Sequence, residues 1–475
     1  MPKQLRKTKI VCTLGPATES VLVLEKLMKA GMNVARLNFS HGNYGKMKEM
    51  IENVRQAAKN TGKTIAIFQD LQGPKIRVGD LGEGINLVEG KKYNFVGGDK
   101  FDGKNIPIPV KEVIAEIAKG DCLLFGDGDL KVQVTKKIPN GFEAVVIYGG
   151  LLKSKKGIIG ENKTFSLSAL TTKDYEDIDW GYKNKIGFDY IAFSFVKSAE
   201  DVRTLKAYLK KKHKDTRTKV IVKFETAEAV QNMDEIVTET DALMVARGDL
   251  ALEVPYPEMP IIQKKLVEKC IAVGKPVIVA TNMLESMIVN PLPTRAEVTD
   301  ISNAVWQRAS AIMLSGETSV GKFPVRCVEV MDKIARRVEE EQRNYLFEVP
   351  PSSELDREMT RHAAQVAKNL DTDMIVVFTL TGRMAKLISK CRPTVPIIAF
   401  TENERSARQL ALHWGVYAEV IKFHKNPEIM VEESIEALKN GKEIRIQKGH
   451  NLVIVSDILI GRDRVNSALQ VCKIN

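Results

Sequence analysis

The sequence predicts an α/β fold: a (β/α)₈ TIM barrel, interrupted by a small inserted all-β module and followed by an open α/β domain. Three observations carry this prediction. Eight apolar runs alternate with helical patterns between Lys9 and Thr318, the segment 79–164 lacks helical periodicity, and strand–helix alternation resumes after a Pro/Ser connector, VPPSSE. The chain has 475 residues, more than one hydrophobic core supports, so several domains are expected.

The eight apolar runs read as parallel strands buried on both faces, because they are nearly continuous in apolar residues and do not alternate. In chain order they are KIVCTLGP from Lys9, NVARLNFS from Asn33, TIAIFQD from Thr64, DYIAFSF from Asp189, KVIVKFE from Lys219, ALMVARGD from Ala242, PVIVATNM from Pro276 and AIMLSGET from Ala311. Helical patterns such as SVLVLEKLMKA and PIIQKKLVEKCIAVG separate them. Eight such units predict a closed barrel.

The insertion follows the third strand. Gly-rich turns such as GDLGEG and FGDGDL separate short strand-like runs, among them LKVQVTKKI and FEAVVIYGG, which is typical of a small all-β module. We expect the barrel to comprise residues 1–78 and 165–345, the insertion residues 79–164, and the C-terminal domain residues 346–475. In that last domain, runs such as DMIVVFTLTG and NLVIVSD alternate with helical patterns.

Composition narrows the class of protein. At 44% hydrophobic and 28% charged it is that of an ordinary globular protein, with no apolar stretch that resembles a signal peptide or a membrane span. The six cysteines are scattered without CxxC spacing, which predicts reduced thiols in a cytoplasmic protein. The net charge of +11 favours anionic ligands. We expect phosphorylated metabolites and no nucleic acid, since the dense basic cluster KKKHK at 210–214 has no accompanying nucleic-acid motif.

The ends of the strands predict where the chemistry lies. In a barrel of this kind the carboxyl ends of the strands converge on one face, which holds the active site. Polar ends would also arise from contact with solvent, but carboxylates and cations recur at strand after strand. The side chains concerned are Arg36, Asn38, Ser40, His41, Asp70, Ser194, Lys223, Glu225, Arg247, Asp249, Thr281, Ser315 and Glu317.

Two carboxylates on adjacent strand ends, Glu225 and Asp249, predict an oxygen-ligand site for Mg²⁺ or Mn²⁺. Strand alternation places Lys223 on the same side as Glu225, where its ammonium could stabilise an enolate or a phosphoryl group in transfer. The alternative is a salt-bridge cluster that plugs the barrel. After Arg247 the stretch DLALE resembles a helix start, whose free N–H groups suit a carboxylate or phosphate.

Together these motifs carry a family resemblance. TKIVCTLGPAT, NVARLNFSHG, VKFETAEA, MVARGDLALEVP and the long block from Ala280 to Thr318 occur in the order and at the spacing of pyruvate kinases. The chain resembles a bacterial member over essentially its whole length. The resemblance implies transfer of a phosphoryl group from phosphoenolpyruvate to ADP, giving pyruvate and ATP. It also implies Mg²⁺ dependence, a β-barrel lid in the insertion, an allosteric C-terminal domain and a homotetramer.

The resemblance implies roles at the substrate. Arg36 would clamp the phosphate and Lys223 would stabilise the phosphoryl group and the enolate. Thr281 would lie in the proton-delivery path, through water and Ser315. The remaining implied substrate contacts are the amides of Gly248 and Asp249 and the pocket wall formed by Ser194 and Phe195. The implied nucleotide contacts are Arg77, His41, Lys173, Thr13, Pro16 and Asn38.

A departure from the family pattern concerns K⁺. In many members the positions of Asn38, Ser40 and Asp70 ligate a monovalent cation. Those members have a glutamate where this chain has Lys75, preceded by Thr-Lys where this chain has Leu-Gln at 71–72. The combination resembles the branch that does not require K⁺, and the lysine ammonium would supply the charge covalently. The alternative is a surface lysine at a hinge.

Two further departures concern the lid and the effector loop. Gly126 stands where an aspartate is common, although Asp127 is kept, and KKGIIGEN differs from the usual lid sequence. The loop TLTGR could cradle a phosphate at a helix N-terminus, and a plain turn is the alternative. We expect an anionic effector at Thr379, Thr381, Gly382 and Arg383, with Arg462 and Arg464 in the neighbouring loop.

Two rival functions stay open at this point. A metal-dependent aldolase or lyase acting on a pyruvate enolate would also use arginine and two carboxylates around Mg²⁺. The implied nucleotide contacts and the insertion argue against it. An inactive scaffold that binds metabolites is disfavoured, since every implied catalytic position is filled.

Overall fold

The computed structural model describes residues 5–40, 43–126, 128–161, 163, 165–342, 347–424, 426–441, 444–459 and 465–474. Its strands are β1 Lys9–Thr13, β2 Val34–Asn38, β3 Ala66–Asp70, β4 Ile85–Leu87, β5 Lys92–Gly97, β6 Asn105–Ile108, β7 Cys122–Phe125, β8 Leu130–Ile138, β9 Gly141–Tyr148, β10 Gly150–Leu152, β11 Ile158–Gly160, β12 Tyr190–Phe193, β13 Lys219–Phe224, β14 Ala242–Ala246, β15 Val277–Ala280, β16 Ala311–Leu314, β17 Met374–Phe378, β18 Ile397–Thr401, β19 Val416–Val420, β20 Asn451–Leu459 and β21 Val465–Lys473.

The helices are α1 Val21–Ala30, α2 Tyr44–Thr61, α3 Lys111–Glu116, α4 Thr172–Lys183, α5 Ala199–His213, α6 Ala227–Gln231, α7 Met233–Glu239, α8 Arg247–Glu253, α9 Met259–Val273, α10 Arg295–Trp306, α11 Gly316–Ser319, α12 Pro324–Glu341, α13 Leu355–Asn369, α14 Arg383–Lys390, α15 Glu404–Leu410 and α16 Pro427–Asn440. Short 3₁₀ turns cover Pro16–Thr18, Tyr256–Glu258 and Glu285–Ile288. None of the described helices is long and apolar enough to cross a membrane.

Eight parallel strands close into the predicted barrel, in the order β1-β16-β15-β14-β13-β12-β3-β2. Their side chains are buried on both faces. One apolar layer lies between strands and helices, and a second fills the barrel interior. Leu412 of the C-terminal domain joins that interior layer, so the N-terminal mouth of the barrel is closed by the other domain. The opposite, C-terminal mouth is where the strand-end side chains gather.

Capping residues mark where helices begin and end, as helix α5 shows. Helix α5 starts at a capping box in which Ser198 and Asp201 exchange hydrogen bonds, and it ends at Lys214 in a left-handed conformation. The basic cluster KKKHK forms the last turn and the C-cap of this helix, where positive charge complements the helix dipole. It is a solvated helix end, since the four lysines of the cluster are exposed.

The insertion folds around its own apolar core. Its strands form a six-stranded sheet in the order β11-β7-β8-β9-β5-β6 and a two-stranded sheet of β10 with β4. The chain enters through Gly73, whose φ of +65° suits glycine, and the exit runs beside the entry, since Val78 N–H donates to Lys156 O (2.9 Å). The insertion is therefore joined to the barrel by two connecting segments that run side by side.

The C-terminal domain is an open α/β sheet, as predicted. Its strand order is β19-β18-β17-β20-β21, with β21 antiparallel to β20 and the other pairs parallel. The barrel helices end with α12 and this domain begins with α13. The exact domain limits stay a prediction. All six cysteines are free thiols.

Candidate active site

Four charged side chains meet at the carboxyl ends of β2, β3 and β13. Arg36 Nε donates to Asp70 Oδ2 at 2.6 Å. Lys223 Nζ lies 2.7 Å from Glu225 Oε1 and 3.4 Å from Asp70 Oδ1. Both carboxylates are 1% exposed, so the two cations and two anions neutralise each other in a nearly dry setting. We call these four residues the charged cluster.

Within the charged cluster, the neighbouring opposite charges favour the ionised forms of Lys223 and Asp70. Burial alone would lower the pKa of Lys223, but Asp70 and Glu225 outweigh it and hold the pKa above the usual range. Burial likewise raises the pKa of Asp70, and the charges of Lys223 and Arg36 reverse this, leaving it below the usual range. Lys223 also donates to Ser194 Oγ (2.8 Å), which donates to Leu71 O (2.7 Å). The ammonium is thereby fixed in position.

The two carboxylates predicted to bind a metal lie on neighbouring strand ends. Glu225 Oε2 accepts a hydrogen bond from Phe195 N–H at 2.8 Å, which also places the Phe195 backbone at the site. Asp249, in the first turn of α8, is more open, with 29% of its side chain exposed. Burial raises the pKa of Glu225, and the like charge of Asp249 raises it further, against the effect of Lys223. A divalent cation would relieve this repulsion.

Lys75 lies beside this carboxylate pair. Its Nζ is 3.5 Å from Asp249 Oδ1. The sequence predicted the ammonium among Asn38, Ser40 and Asp70, but Asp70 pairs with the cations of the charged cluster, and Asn38 Oδ1 accepts from Ser40 N–H (3.1 Å). The contact that the structure records for Lys75 is therefore with the proposed metal ligand.

A strained turn follows β15. Thr281 and Asn282 have φ of +70° and +55°, a region that residues other than glycine seldom adopt. Gly248 N–H donates to Thr281 Oγ1 at 2.9 Å. Arg247 Nη2 donates to Thr281 O (2.6 Å), and its Nη1 pairs with Asp300 Oδ1 (2.7 Å). Arg247 was noted as a strand end but given no role; the structure shows that it holds this turn.

Ser315 carries an unpartnered buried hydroxyl among the described atoms. Its N–H donates to Glu317 Oε2 at 2.7 Å, and Leu284 N–H donates to the other carboxylate oxygen at 3.0 Å. Glu317 is 3% exposed, and burial raises its pKa. Glu317 thus anchors the loop, which leaves the Ser315 hydroxyl available to a water or a substrate.

A cleft of about 490 Å³ lies between the barrel and the insertion. Its barrel side includes Asp249, Thr281 and Ser315, and its insertion side includes Lys155 and Lys156. Arg77 also lines it and donates to Lys155 O (2.9 Å). Cations on one wall and carboxylates on the other suit a polyanion that arrives with a metal ion. The lysines of KKGIIGEN were left without a role by the sequence, although their place beside Arg77 follows from the paired entry and exit of the insertion.

The remaining residues that were predicted to contact the nucleotide lie in different places. Thr13 Oγ1 accepts from Arg36 Nη1 (2.9 Å) and so lies at the charged cluster, and Pro16 begins the following 3₁₀ turn. Lys173 instead pairs with Asp177 on its own helix and lies over the ring of Tyr44, which stacks on Trp180. His41 lies outside the described residues.

The predicted effector loop joins β17 to α14. Thr379 is buried, Gly382 is the N-cap residue of α14 with φ of +80°, and Arg383 pairs with Asp356. Thr381 is exposed. Arg462 and Arg464 lie outside the described residues. The loop is thus a turn that leads into α14, and its arginine, Arg383, already pairs with Asp356.

Comparisons with known proteins match the same family over nearly the whole chain. Family models for the pyruvate kinase barrel domain and the pyruvate kinase alpha/beta domain match residues 5–328 and 357–472. The chain is 40% identical to a pyruvate kinase of Geobacillus stearothermophilus over 475 residues, which is 98% of this chain and 80% of the relative. It is 39% identical to the enzyme of Sporosarcina psychrophila over 476 residues (98% and 80%) and 40% identical to plastidial pyruvate kinase 2 of Arabidopsis thaliana over 462 residues (96% and 78%).

Proposed function

The chain belongs to the pyruvate kinase family, so its reaction is phosphoryl transfer between phosphoenolpyruvate and ADP in glycolysis, and we propose how its own residues perform it. The family assignment leaves the aldolase and scaffold alternatives without support. The observation that carries the proposal is the charged cluster, because its ion pairs hold two cations, Arg36 and Lys223, where a phosphoryl group would lie.

The divalent cation that the family uses fits Glu225 and Asp249. Both donors are carboxylate oxygens, as Mg²⁺ and Mn²⁺ prefer, and no cluster of three His, Cys, Asp or Glu side chains occurs among the described residues. Mg²⁺ bound to two carboxylates commonly takes its remaining ligands from substrate and water. When bound, the ion supplies positive charge to the enolate and phosphoryl oxygens.

Arg36 and Lys223 position and stabilise the group in transfer. Phosphoryl transfer passes through a loose transition state with charge on the peripheral oxygens, so catalysis is mainly positioning and charge compensation. Arg36 is oriented by Asp70, and Lys223 by Glu225 and Ser194, so little reorganisation is needed when the substrate binds.

Thr281 and Ser315 suit delivery of a proton to the enolate carbon. Both line the cleft, and the unpartnered Ser315 hydroxyl can hold a water there. The turn of Thr281 is held by Arg247, so the hydroxyl keeps its direction. The amide of Asp249, together with that of Gly248 once the carboxylate replaces Thr281 Oγ1 as its acceptor, would receive the substrate carboxylate. Arg77, with Lys155 and Lys156, would contact the nucleotide phosphates.

The test of the charged cluster is substitution of Lys223 by methionine in a coupled assay of ADP-dependent pyruvate formation. Loss of one preorganised cation should lower kcat by about a hundredfold to a thousandfold. Lys197→Met is the matched control, since Lys197 lines the same cleft but donates to the carbonyls of Phe165 and Leu167. Equal losses in both variants, or none at Lys223, would contradict the proposal.

We also propose that K⁺ is not required, because Lys75 supplies a fixed charge at the site. The support is its ammonium 3.5 Å from Asp249 Oδ1. Rates in K⁺ and in tetramethylammonium should agree for the wild type, and Lys75→Glu should create a K⁺ requirement while the exposed Lys91→Glu does not. A wild-type loss of about tenfold without K⁺, about 1.4 kcal/mol, would overturn the idea.

The regulatory part stays a proposal as well. We place an anionic effector at Thr379, Thr381, Gly382 and Arg383, and expect Arg383→Ala to abolish activation by sugar phosphates or AMP. The Asp356 partner means that an effector must compete for this arginine. Unchanged activation in that variant would contradict the assignment. A homotetramer is expected from the family and is checked by sedimentation. The free thiols support a cytoplasmic, reducing setting.

A further inference from the structure

The segment 281–288 forms part of the cleft wall and begins in an unfavourable backbone conformation. Thr281 has φ of +70° and Asn282 has φ of +55°. For a β-branched residue such as threonine a positive φ is a genuine outlier, and it persists only where the surrounding structure holds it. Thr281, Asn282, Glu285 and Ile288 line the cleft. The contacts that hold this segment therefore bear on the reaction.

Helix α10 holds this segment at two points. Glu297 accepts hydrogen bonds from Ser286 N–H (2.7 Å) and from Ser286 Oγ (2.6 Å). Asp300 lies three residues further on, and so on the same face of the helix, and it accepts from Arg247 Nη1 at 2.7 Å. Both Arg247 and Asp300 are described residues, and neither is among those that line the cleft. Any effect that they have on the reaction therefore passes through neighbouring groups.

Arg247 binds two successive carbonyls of the Thr281 turn. Its Nε donates to Ala280 O at 3.1 Å, and its Nη2 donates to Thr281 O at 2.6 Å. The planar guanidinium presents these donors in a rigid fork, which the point charge of a lysine ammonium does not reproduce. Because Nη1 is tied to Asp300, the fork is itself oriented, and it fixes the direction of the Thr281 backbone.

The Thr281 hydroxyl makes two hydrogen bonds. It accepts from Gly248 N–H at 2.9 Å and donates to Ala280 O at 2.6 Å. A substrate carboxylate bound at the Gly248 amide would replace the first of these. The second can then be given up at little cost, because Arg247 Nε keeps the buried Ala280 carbonyl paired. Carboxylate binding thus frees the O–H bond to rotate toward the cleft, while Oγ1 stays in position.

We propose that Arg247, oriented by Asp300, is a positioning residue for the proton-transfer step and not for phosphoryl transfer, an inference that rests on the proposed function. In that step the enolate of pyruvate takes a proton at its CH₂ carbon. The π electrons of the C=C bond form the new C–H bond, and the enolate oxygen re-forms the C=O bond. The O–H bond that breaks belongs to Thr281 or to a water that it orients, and the donor regains a proton from solvent.

Two assays of the full chain separate the steps. Phosphoryl transfer is measured by rapid quench, as ATP formed in the first turnover from phosphoenolpyruvate and ADP. Proton transfer is measured in reverse, as loss of the methyl proton signal of pyruvate in D₂O with Mg²⁺ and ATP, since in that direction the proton leaves before the phosphoryl group arrives. Arg247→Lys should slow methyl exchange about a hundredfold, the cost of misplacing a reacting group by roughly 1 Å, and leave first-turnover ATP formation nearly unchanged. The solvent deuterium isotope effect on kcat should rise.

Arg6→Lys is the matched control. Arg6 also donates to two carbonyls, those of Thr8 and Gly31, and pairs with Asp332 at 2.7 Å, but it precedes β1 at the other end of the barrel. This variant should lower Tm without changing the ratio of methyl exchange to ATP formation.

Asp300→Asn tests the same role without touching the turn. It removes the charge that orients Arg247, so methyl exchange should fall about tenfold, as expected for a charge-assisted hydrogen bond, while ATP formation again stays nearly unchanged. If Arg247→Lys does not fold, this variant decides the question by the same criteria.

Equal losses in both assays for Arg247→Lys would mark general damage to the site and overturn the inference, as would unchanged methyl exchange. A change of the ratio in Arg6→Lys as large as that in Arg247→Lys would overturn it too. A wild type that forms no ATP from phosphoenolpyruvate and ADP would instead overturn the proposed function. If the wild type performs both reactions and Arg247→Lys loses them together, the role of Arg247 fails alone.

Discussion

Replacing Asp70 by asparagine removes one negative charge from the centre of the charged cluster. The side chain is 1% exposed, receives Arg36 Nε at 2.6 Å and lies 3.4 Å from Lys223 Nζ. The substitution leaves the shape of the side chain nearly unchanged. The cluster then has two cations, Arg36 and Lys223, against one carboxylate, Glu225, in a setting where water cannot screen the excess charge.

The expected loss follows from that imbalance. Removing one partner of a buried ion pair costs about 3–5 kcal/mol. For a domain of this size Tm falls by roughly 2–4 °C per kcal/mol, so the barrel transition should fall by roughly 10 °C. Because a chain of several domains need not unfold in one step, scanning calorimetry is the assay, so that the barrel and C-terminal transitions are resolved. The kcat/KM for phosphoenolpyruvate should fall about a hundredfold as Arg36 loses its orientation.

Two variants sharpen this test. Asp249→Asn makes the same chemical change at a carboxylate that is 29% exposed, and should lose activity with little loss of Tm. Arg36→Met combined with Asp70→Asn restores the charge balance, so the double variant should be more stable than the sum of the two single losses. A barrel transition for Asp70→Asn within about 1 °C of the wild type would refute the reasoning, since a one-degree shift corresponds to well under 1 kcal/mol.

Three further outcomes are expected. Gly73→Ala should impair phosphoenolpyruvate binding, because φ is +65° and a Cβ would lie 2.9 Å from Phe195; Gly62→Ala, with φ of +67° and open space, isolates the backbone strain and should leave KM unchanged. Thermal stability should decline as pH falls below about 6.5, because the buried His413 stays neutral while its unfolded counterpart takes up a proton; His413→Gln should flatten this slope in calorimetry. A chelator should abolish activity and Mg²⁺ restore it, and Asp249→Asn should raise the Mg²⁺ concentration for half-maximal rate; an unchanged requirement would exclude that carboxylate as a ligand.

Much of the fold can be predicted from the sequence because it depends on short-range patterns of residues. Buried parallel strands require continuous apolar runs, and these predicted all eight barrel strands. The pairing of Lys223 with Glu225 follows from the two-residue period of a strand, and Asp249 follows from the next strand in order. The open C-terminal sheet was predicted in the same way.

Other features depend on contacts between distant segments. The turn at Gly73 carries Lys75 toward Asp249, which nothing in the local sequence indicates. Arg247 was visible as a strand end, but its hold on the Thr281 turn appears only when β14 and β15 are adjacent. The lysines of the insertion reach the cleft because the two connecting segments pair with each other.

By itself, then, the sequence determined the barrel strands, the order of the domains and the family, and it predicted most members of the candidate site, since these depend on periodicity and on motifs of adjacent residues. Only the tertiary structure decided how charge is distributed among them. Asp70 became the partner of two cations, Arg36 and Lys223, which lie far apart in the chain. Electrostatic energy depends on the distance between the charges and on how deeply they are buried. Both are set by the tertiary structure and do not follow from the order of residues.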